Sequence, residues 1–361
     1  MNTTPLNRWH HTHHGRMVDF AGWEMPVQYS SIVDEHTAVR TAVGLFDISH
    51  MGRLQFRGDC SQAFLNGVLT NDTEKLQVGD VRYSLICGKD GGILDDVLVY
   101  RLPDRWELVV NASNREKVVN WLKHAAGFAA VDFQDCTLST GMLAVQGPHA
   151  LTLLTAATKL DLTLMKYFTA TELKFLETSG VVSRTGYTGE DGFELVMPSA
   201  DAERIWLTLL AHGAKYGILP AGLGCRDTLR MESGMPLYGH ELNETIDPLT
   251  AGLEFAVKFH KPDYLGKAAL ESIKSQGRQF ARVGLLLEGR RIAREESPIQ
   301  INGLDVGKVT SGTFSPTLQK VIAMAYVPVA SSALGTVVQV NLRGTLIPAT
   351  IVALPFYKRS A

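Results

Sequence analysis

Cysteine is scarce in this 361-residue chain: Cys60, Cys87, Cys136 and Cys225 lie far apart and none forms a CxxC pair. That sets aside a zinc knuckle and a disulfide framework and leaves reduced, mostly buried thiols as the expectation. No apolar run approaches the ~18 residues of a membrane span, and the N-terminus lacks an apolar core of signal-peptide length, so a cytoplasmic protein is expected. Charge of neither sign is in excess, with 35 Lys and Arg against 37 Asp and Glu. Without a basic run, neither nucleic acid nor an anionic membrane is expected as the main partner. No GxGxxG follows a first strand, and no GK[ST] follows a glycine-rich loop, which argues against dinucleotide and P-loop sites. Four histidines crowd residues 10–14, but no cysteine is near and the HExxH spacing is missing. They read as a polar segment docking on a core, and no metal is expected.

What the chain does contain is a glycine turn, Asp90-Gly91-Gly92, running into an apolar strand that carries two adjacent acids, Asp95 and Asp96. Side chains alternate along a strand, so Leu94, Asp96, Leu98 and Tyr100 share one face, while Asp95, Val97 and Val99 share the other. A carboxylate aimed into apolar surroundings is costly unless it is paired or hydrogen-bonded. Asp95, next to the turn, reads as structural, whereas Asp96 is open between structure and function. A second unusual stretch is Gly186-Tyr187-Thr188-Gly189-Glu190-Asp191-Gly192, which re-enters a strand at Glu194. Its acids would repel phosphate, and its glycines permit backbone conformations that other residues avoid.

The remaining pattern predicts helices over 31–43, 59–68, 117–126, 147–160, 199–217 and from Pro220 onward. It predicts strands over 45–56, 81–87, 106–110, 141–145, 171–178 and 181–184. Asn111 and Asn114 suit an N-cap, residues 18–29 read as core packing plus a turn, and Arg230 reads as paired with Asp227, Glu232 or helix carbonyls. A polar helix over 267–277 looks like a linker. Beyond it, six short alternating strands (283–287, 298–301, 307–310, 323–327, 337–342 and 347–352) predict a small all-β domain. The expected class is α+β, with two related α+β units followed by that barrel.

Several stretches together resemble one family, the aminomethyltransferase or T-protein of the glycine cleavage system. They are Phe20-Ala21-Gly22-Trp23 to Tyr29, Asp47 to Gly52, Gly91 to Asp96, Gly186 to Glu194, Gly222 to Glu232 with Met235-Pro236-Leu237-Tyr238-Gly239, and Thr310 to Pro316. They run in order over almost the whole chain. The resemblance implies a three-domain cloverleaf of two ferredoxin-like folate-binding units and a C-terminal barrel or jelly roll, with boundaries near 1–275 and 276–361. It also implies the reaction: a lipoylated H-protein delivers an aminomethyl group on its dihydrolipoyl arm, tetrahydrofolate accepts the one-carbon unit as methylene, and ammonia leaves.

By the same resemblance Asp96 matches the catalytic acid, Glu194 the carboxylate on the pterin edge, and Arg226 the arginine that braces the folate. Tyr187, Tyr100, Tyr83, Met51, Asn111 and Tyr238 match positions lining the pocket. Arg294 falls where the family places an arginine near the carrier's arm; read on its own it is a solvated basic loop. Two departures stand out: Glu295-Glu296-Ser297 is more acidic than usual, and Phe255 occupies a position where tryptophan is common. A non-catalytic folate-binding relative acting in iron–sulfur assembly or RNA modification is the alternative. Its KGC[YF]xGQE signature is absent from the comparable stretch Gly222 to Asp227. The folate module of a flavin-dependent oxidase would need an added dinucleotide domain.

Overall fold

The computed structural model describes residues 1–359. They fall into two compact units, one made of residues 1–84 and 96–226, the other of residues 85–95 and the chain from Asp227 onward. In the first unit a six-stranded sheet has the order Ala170–Phe175, Thr178–Ser183, Gly192–Pro198, Thr140–Gln146, Val43–Asp47, Ile218–Pro220. The helices Ala150–Thr158 and Ala202–Gly213 bury Leu153, Leu154, Ile205, Trp206 and Leu209 against its Leu143, Val145, Phe193 and Leu195. Trp206 is fully enclosed and meets the Trp9 ring edge to face at 4.9 Å.

A five-stranded antiparallel sheet has the order Val81–Cys87, Ile93–Arg101, Trp106–Val110, Gly52–Arg57, Asp132–Asp135. Of Ser30 and Ser31, either of which suits the N-cap of the helix Ile32–Thr41 by sequence, it is Ser31 whose hydroxyl accepts the Asp34 amide at 3.0 Å, and Asp34 and Glu35 fill the first turn. Three of the thiols are buried and Cys60 is exposed; all four are free. No helix among the described residues is long and apolar enough to cross a membrane.

Three expectations are corrected. Residues 45–56 are not one strand: Val43–Asp47 and Gly52–Arg57 belong to different sheets. The Asp47 side chain accepts the Ser49 amide at 2.9 Å and the Met51 amide bonds back to Ile48, so turn chemistry breaks the run. Residues 16–28 hold more than packing and a turn, since Arg16–Phe20 and Trp23–Gln28 form a hairpin around Ala21 and Gly22, both with positive φ. Neither asparagine side chain caps the helix Arg115–His124: Asn114 stands at the N-cap position without a side-chain capping bond, and Asn111 turns to Asp96.

In the second unit all six expected strands appear, closed into a barrel in the order Phe280–Leu287, Lys320–Pro328, Leu304–Ser315, Pro298–Ile301, Val337–Leu342, Thr345–Val352. The glycine turn belongs here. A Cβ on Gly92 would lie 1.8 Å from the Glu244 carbonyl oxygen, so only glycine lets that backbone approach. The helix Lys267–Gln276 is more than a linker, because its buried Leu270 packs on Gly91.

Arg230 pairs with Asp227 at 2.8 Å and also donates to Glu241 at 2.7 Å and to Ser311 at 2.9 Å. Glu232 instead accepts from Ser315 and Thr317. Removing one partner of a buried ion pair strands the other charge. Glu241→Leu is therefore expected to lower the unfolding free energy in urea by about 3–5 kcal/mol; a loss below about 1 kcal/mol would mean that Asp227 alone compensates Arg230.

Candidate active site

Asp96 sits on the strand Ile93–Arg101, half-buried. Tyr83 donates its hydroxyl to one carboxylate oxygen at 3.0 Å, and the Asn111 amide donates to the other at 2.7 Å and to the Asp96 carbonyl at 3.1 Å. Burial raises its pKa above the usual carboxylate value, and the two hydrogen bonds hold that rise in check. Such a group is more basic than an exposed aspartate. Its neighbour Asp95 is fully buried and counts with the second unit.

Tyr100 lies four residues along the same face, about 13 Å away at the rise of a strand. Its hydroxyl is buried and has no partner in hydrogen-bonding geometry. Burial first, and then the charge of Glu194, keep it far from ionising. Glu194 is buried on the strand Gly192–Pro198, opposite Ala144 and Ser183 in register, and accepts from the Thr185 hydroxyl. Burial raises its pKa, while Thr185 and the Arg226 charge lower it. Arg226, half-buried on the helix Leu223–Glu232, stacks its guanidinium over the Tyr187 ring at 4.9 Å. Among the described residues that guanidinium has no hydrogen-bond or ion-pair partner, although the charge of Glu194 offsets part of its burial cost.

The loop through Tyr187 is held from outside. Arg40 donates to the Thr188 carbonyl at 2.7 Å and pairs with Glu190 at 2.9 Å, and Arg184 pairs with Asp191 at 2.6 Å. Of the three glycines in the loop, only Gly189 has a positive φ, +84°. The acids of this loop are thus spent on internal pairs.

Met51 closes the turn that follows Asp47. Arg53, fully buried, donates to the carbonyls of Ser49, Met51, Thr137 and Thr140, which fixes that turn. Beneath it Asp47 accepts from His10 at 2.9 Å, and the other His10 nitrogen meets the Tyr29 hydroxyl at 2.8 Å. The bonds from His10 and Ser49 hold Asp47 below the usual carboxylate range despite its burial. Of the other histidines in the cluster, His13 stacks on Trp9 at 4.1 Å and His11 meets Glu24 at 3.2 Å. His50 is buried with its Nδ1 unpartnered, and burial together with the Arg226 charge keeps the ring neutral.

The structure thus gathers Asp96, Tyr83 and Asn111 into one group and Glu194, Tyr100, Tyr187 and Arg226 into another, with Tyr100 linking the two. Tyr238 and Arg294 lie in the second unit, where Tyr238 donates to the Ile93 carbonyl at 3.1 Å and Arg294 is exposed. Sequence reasoning missed Thr185, Gln146, Arg53 and His50. For the last two the only signal is polar residues set among apolar neighbours around Asp47 to Arg53.

The fold and these groups define a class, an α+β enzyme with a C-terminal barrel. Two family models match, the GCVT N-terminal domain over residues 6–261 and the glycine cleavage T-protein C-terminal barrel domain over residues 281–358. An aminomethyltransferase of Symbiobacterium thermophilum is 47% identical over 99% of this chain and 98% of its own length. One of Bacillus subtilis is 45% identical over 99% of this chain and its entire length. The crystal structure of glycine cleavage system aminomethyltransferase T from Bartonella henselae superposes with a TM-score of 0.93 at 34% identity, covering 99% of this chain and 98% of that one. The chain belongs to the glycine cleavage T-protein family, the folate-dependent aminomethyltransferases. The non-catalytic alternative is not favoured by relatives that are aminomethyltransferases over their whole length.

Asp47→Asn is expected to destabilise the protein at pH 7 by about 3 kcal/mol, since it leaves buried His10 without its carboxylate. A group with a depressed folded pKa contributes stability above its unfolded pKa, about 3.9, and loses it as pH falls further. The gap between wild type and variant should therefore close below about pH 4 in urea titrations; a gap that does not change with pH would assign the loss to packing alone.

Proposed function

We propose that the Asp96 group receives the proton in aminomethyl transfer and that the Glu194 group holds the acceptor, tetrahydrofolate. In this reading a lipoylated H-protein presents the aminomethyl carbon on its dihydrolipoyl sulfur. Two folate nitrogens bond to that carbon in turn as its C–N bond to ammonia and its C–S bond to the carrier break; each folate nitrogen sheds a proton, and the two protons pass on to the leaving ammonia and the dihydrolipoyl sulfur. Asp96, basic for a carboxylate and held by Tyr83 and Asn111, is the acceptor. The products are methylene-tetrahydrofolate, ammonia and the dihydrolipoyl carrier.

The pterin edge carries adjacent N–H donors that suit a carboxylate, and Glu194 offers one already oriented by Thr185. Arg226 contributes an unpaired guanidinium, Tyr187 and Tyr100 flat ring surfaces, and Met51 a soft wall. The single observation that carries the reading is the strand face shared by Asp96 and Tyr100, which aligns a raised-pKa acceptor with the Glu194 group. Tyr238 and Arg294 complete the assignment, Tyr238 as pocket lining and Arg294 at the carrier's arm. A folate-binding core over residues 1–275 and a barrel domain over 276–361 go with this reading, as does a cytoplasmic location. No part is assigned to nucleic acid, membrane or metal.

The direct experiment is ammonia release from aminomethylated H-protein with and without tetrahydrofolate; release that ignores folate would remove the assignment. Asp96→Asn should keep folate binding within a few fold while turnover falls roughly 10²-fold or more, and unchanged turnover would take Asp96 out of the chemistry. Tyr83→Phe removes a bond that lowers the Asp96 pKa. Activity that needs the ionised carboxylate is lost as pH falls through that pKa, so the acidic limb of kcat/KM should move to higher pH. One hydrogen bond of about 1 kcal/mol corresponds to about 0.7 pH unit, and a limb that stays put would mean that another group titrates.

A further inference from the structure

Gln146 ends the strand Thr140–Gln146, opposite Gly192 in one neighbouring strand and Gly44 in the other. Its side chain is buried. The amide nitrogen donates to the Thr185 carbonyl at 3.0 Å, and the amide oxygen accepts from the Thr188 hydroxyl at 2.9 Å. The surrounding loop is shaped to hold that amide: a Cβ on Gly186 would stand 2.0 Å from its oxygen, and a Cβ on Gly192 would stand 2.5 Å from its nitrogen. Two of the loop glycines are therefore glycines because a side-chain amide occupies the space a Cβ would need, and not because of their φ.

The residues fixed in this way all lead to one end of the site. Thr185, held by its carbonyl, uses its hydroxyl to orient Glu194. Gly186 and Thr188 flank Tyr187, whose ring carries the Arg226 guanidinium. Asp96 is held instead by Tyr83 and Asn111, which stand on other strands and turns. We propose that Gln146 is the positioning residue of the Glu194, Tyr187 and Arg226 end, setting the affinity for the flat, nitrogen-rich ring of the acceptor while leaving the proton transfer at Asp96 unchanged. This inference rests on the reading of that end as the pterin-binding end.

The test uses the full-length protein with Gln146→Met, which fills the space without hydrogen bonds, and Gln146→Asn, whose amide is too short to reach. Tetrahydrofolate dissociation constants come from titration calorimetry, and kcat is measured at saturating folate. Each variant should weaken folate binding about tenfold, as for one lost buried hydrogen bond, with kcat within about twofold of wild type. A merely structural residue would instead lower the melting temperature or the active fraction and leave the dissociation constant of the folded protein unchanged, and that result overturns the proposal. So does a failure of both variants to fold.

Glu194→Gln separates the two readings. If it does not weaken folate binding, the assignment of this end fails; if it does and Gln146→Met does not, only the role of Gln146 fails. In the double variant, binding should be no more than about twofold weaker than in Glu194→Gln alone, because residues acting through one another do not add. Full additivity would mean that Gln146 acts elsewhere.

Discussion

A carboxylate removed from water must be given hydrogen bonds or remain protonated, and the first unit is arranged around two that are kept usable. Asp96 and Glu194 both have raised pKa values because they are buried, and each is limited by a small set of donors: Tyr83 and Asn111 in one case, Thr185 and the distant Arg226 in the other. The difference in donors sets the difference in character. Asp96 has two short side-chain bonds and stays partly accessible, the condition of a group that takes up a proton. Glu194 is enclosed, with one hydroxyl as anchor, which leaves the rest of its accepting capacity unused.

Elsewhere the chain treats buried charge in the opposite way, by full neutralisation. Arg230 and Glu241 in the second unit, Arg40 with Glu190, and Asp47 with His10 are closed pairs. Arg53 is met by four backbone carbonyls. Against that background Arg226 stands out as a guanidinium stacked on a ring with nothing at its donors among the described residues. The contrast separates charges neutralised within the fold from a charge that is not.

The alternation of strand residues was enough to place the six barrel strands and to put Asp96 and Tyr100 on one face, and capping residues were enough to begin a helix at Ser30 or Ser31, because these depend on neighbours a few residues away. Motif resemblance then covered the family, since the matching stretches run in order along the chain. What could not be read locally was any choice made by a distant atom. Residues 45–56 look like one strand until Asp47 folds back on Ser49 and the two halves join different sheets. Asn111 looks like a cap until Asp96 claims its amide. The loop glycines look like turn residues, yet Gly186 and Gly192 clear space for Gln146 and Gly92 for the Glu244 backbone. Local sequence was enough for most of the strands and helices, for the family resemblance, and for marking the acids that are costly to bury. Only the tertiary structure decided what stands against each of them, because hydrogen-bond partners and excluded volume join residues that the chain order keeps far apart.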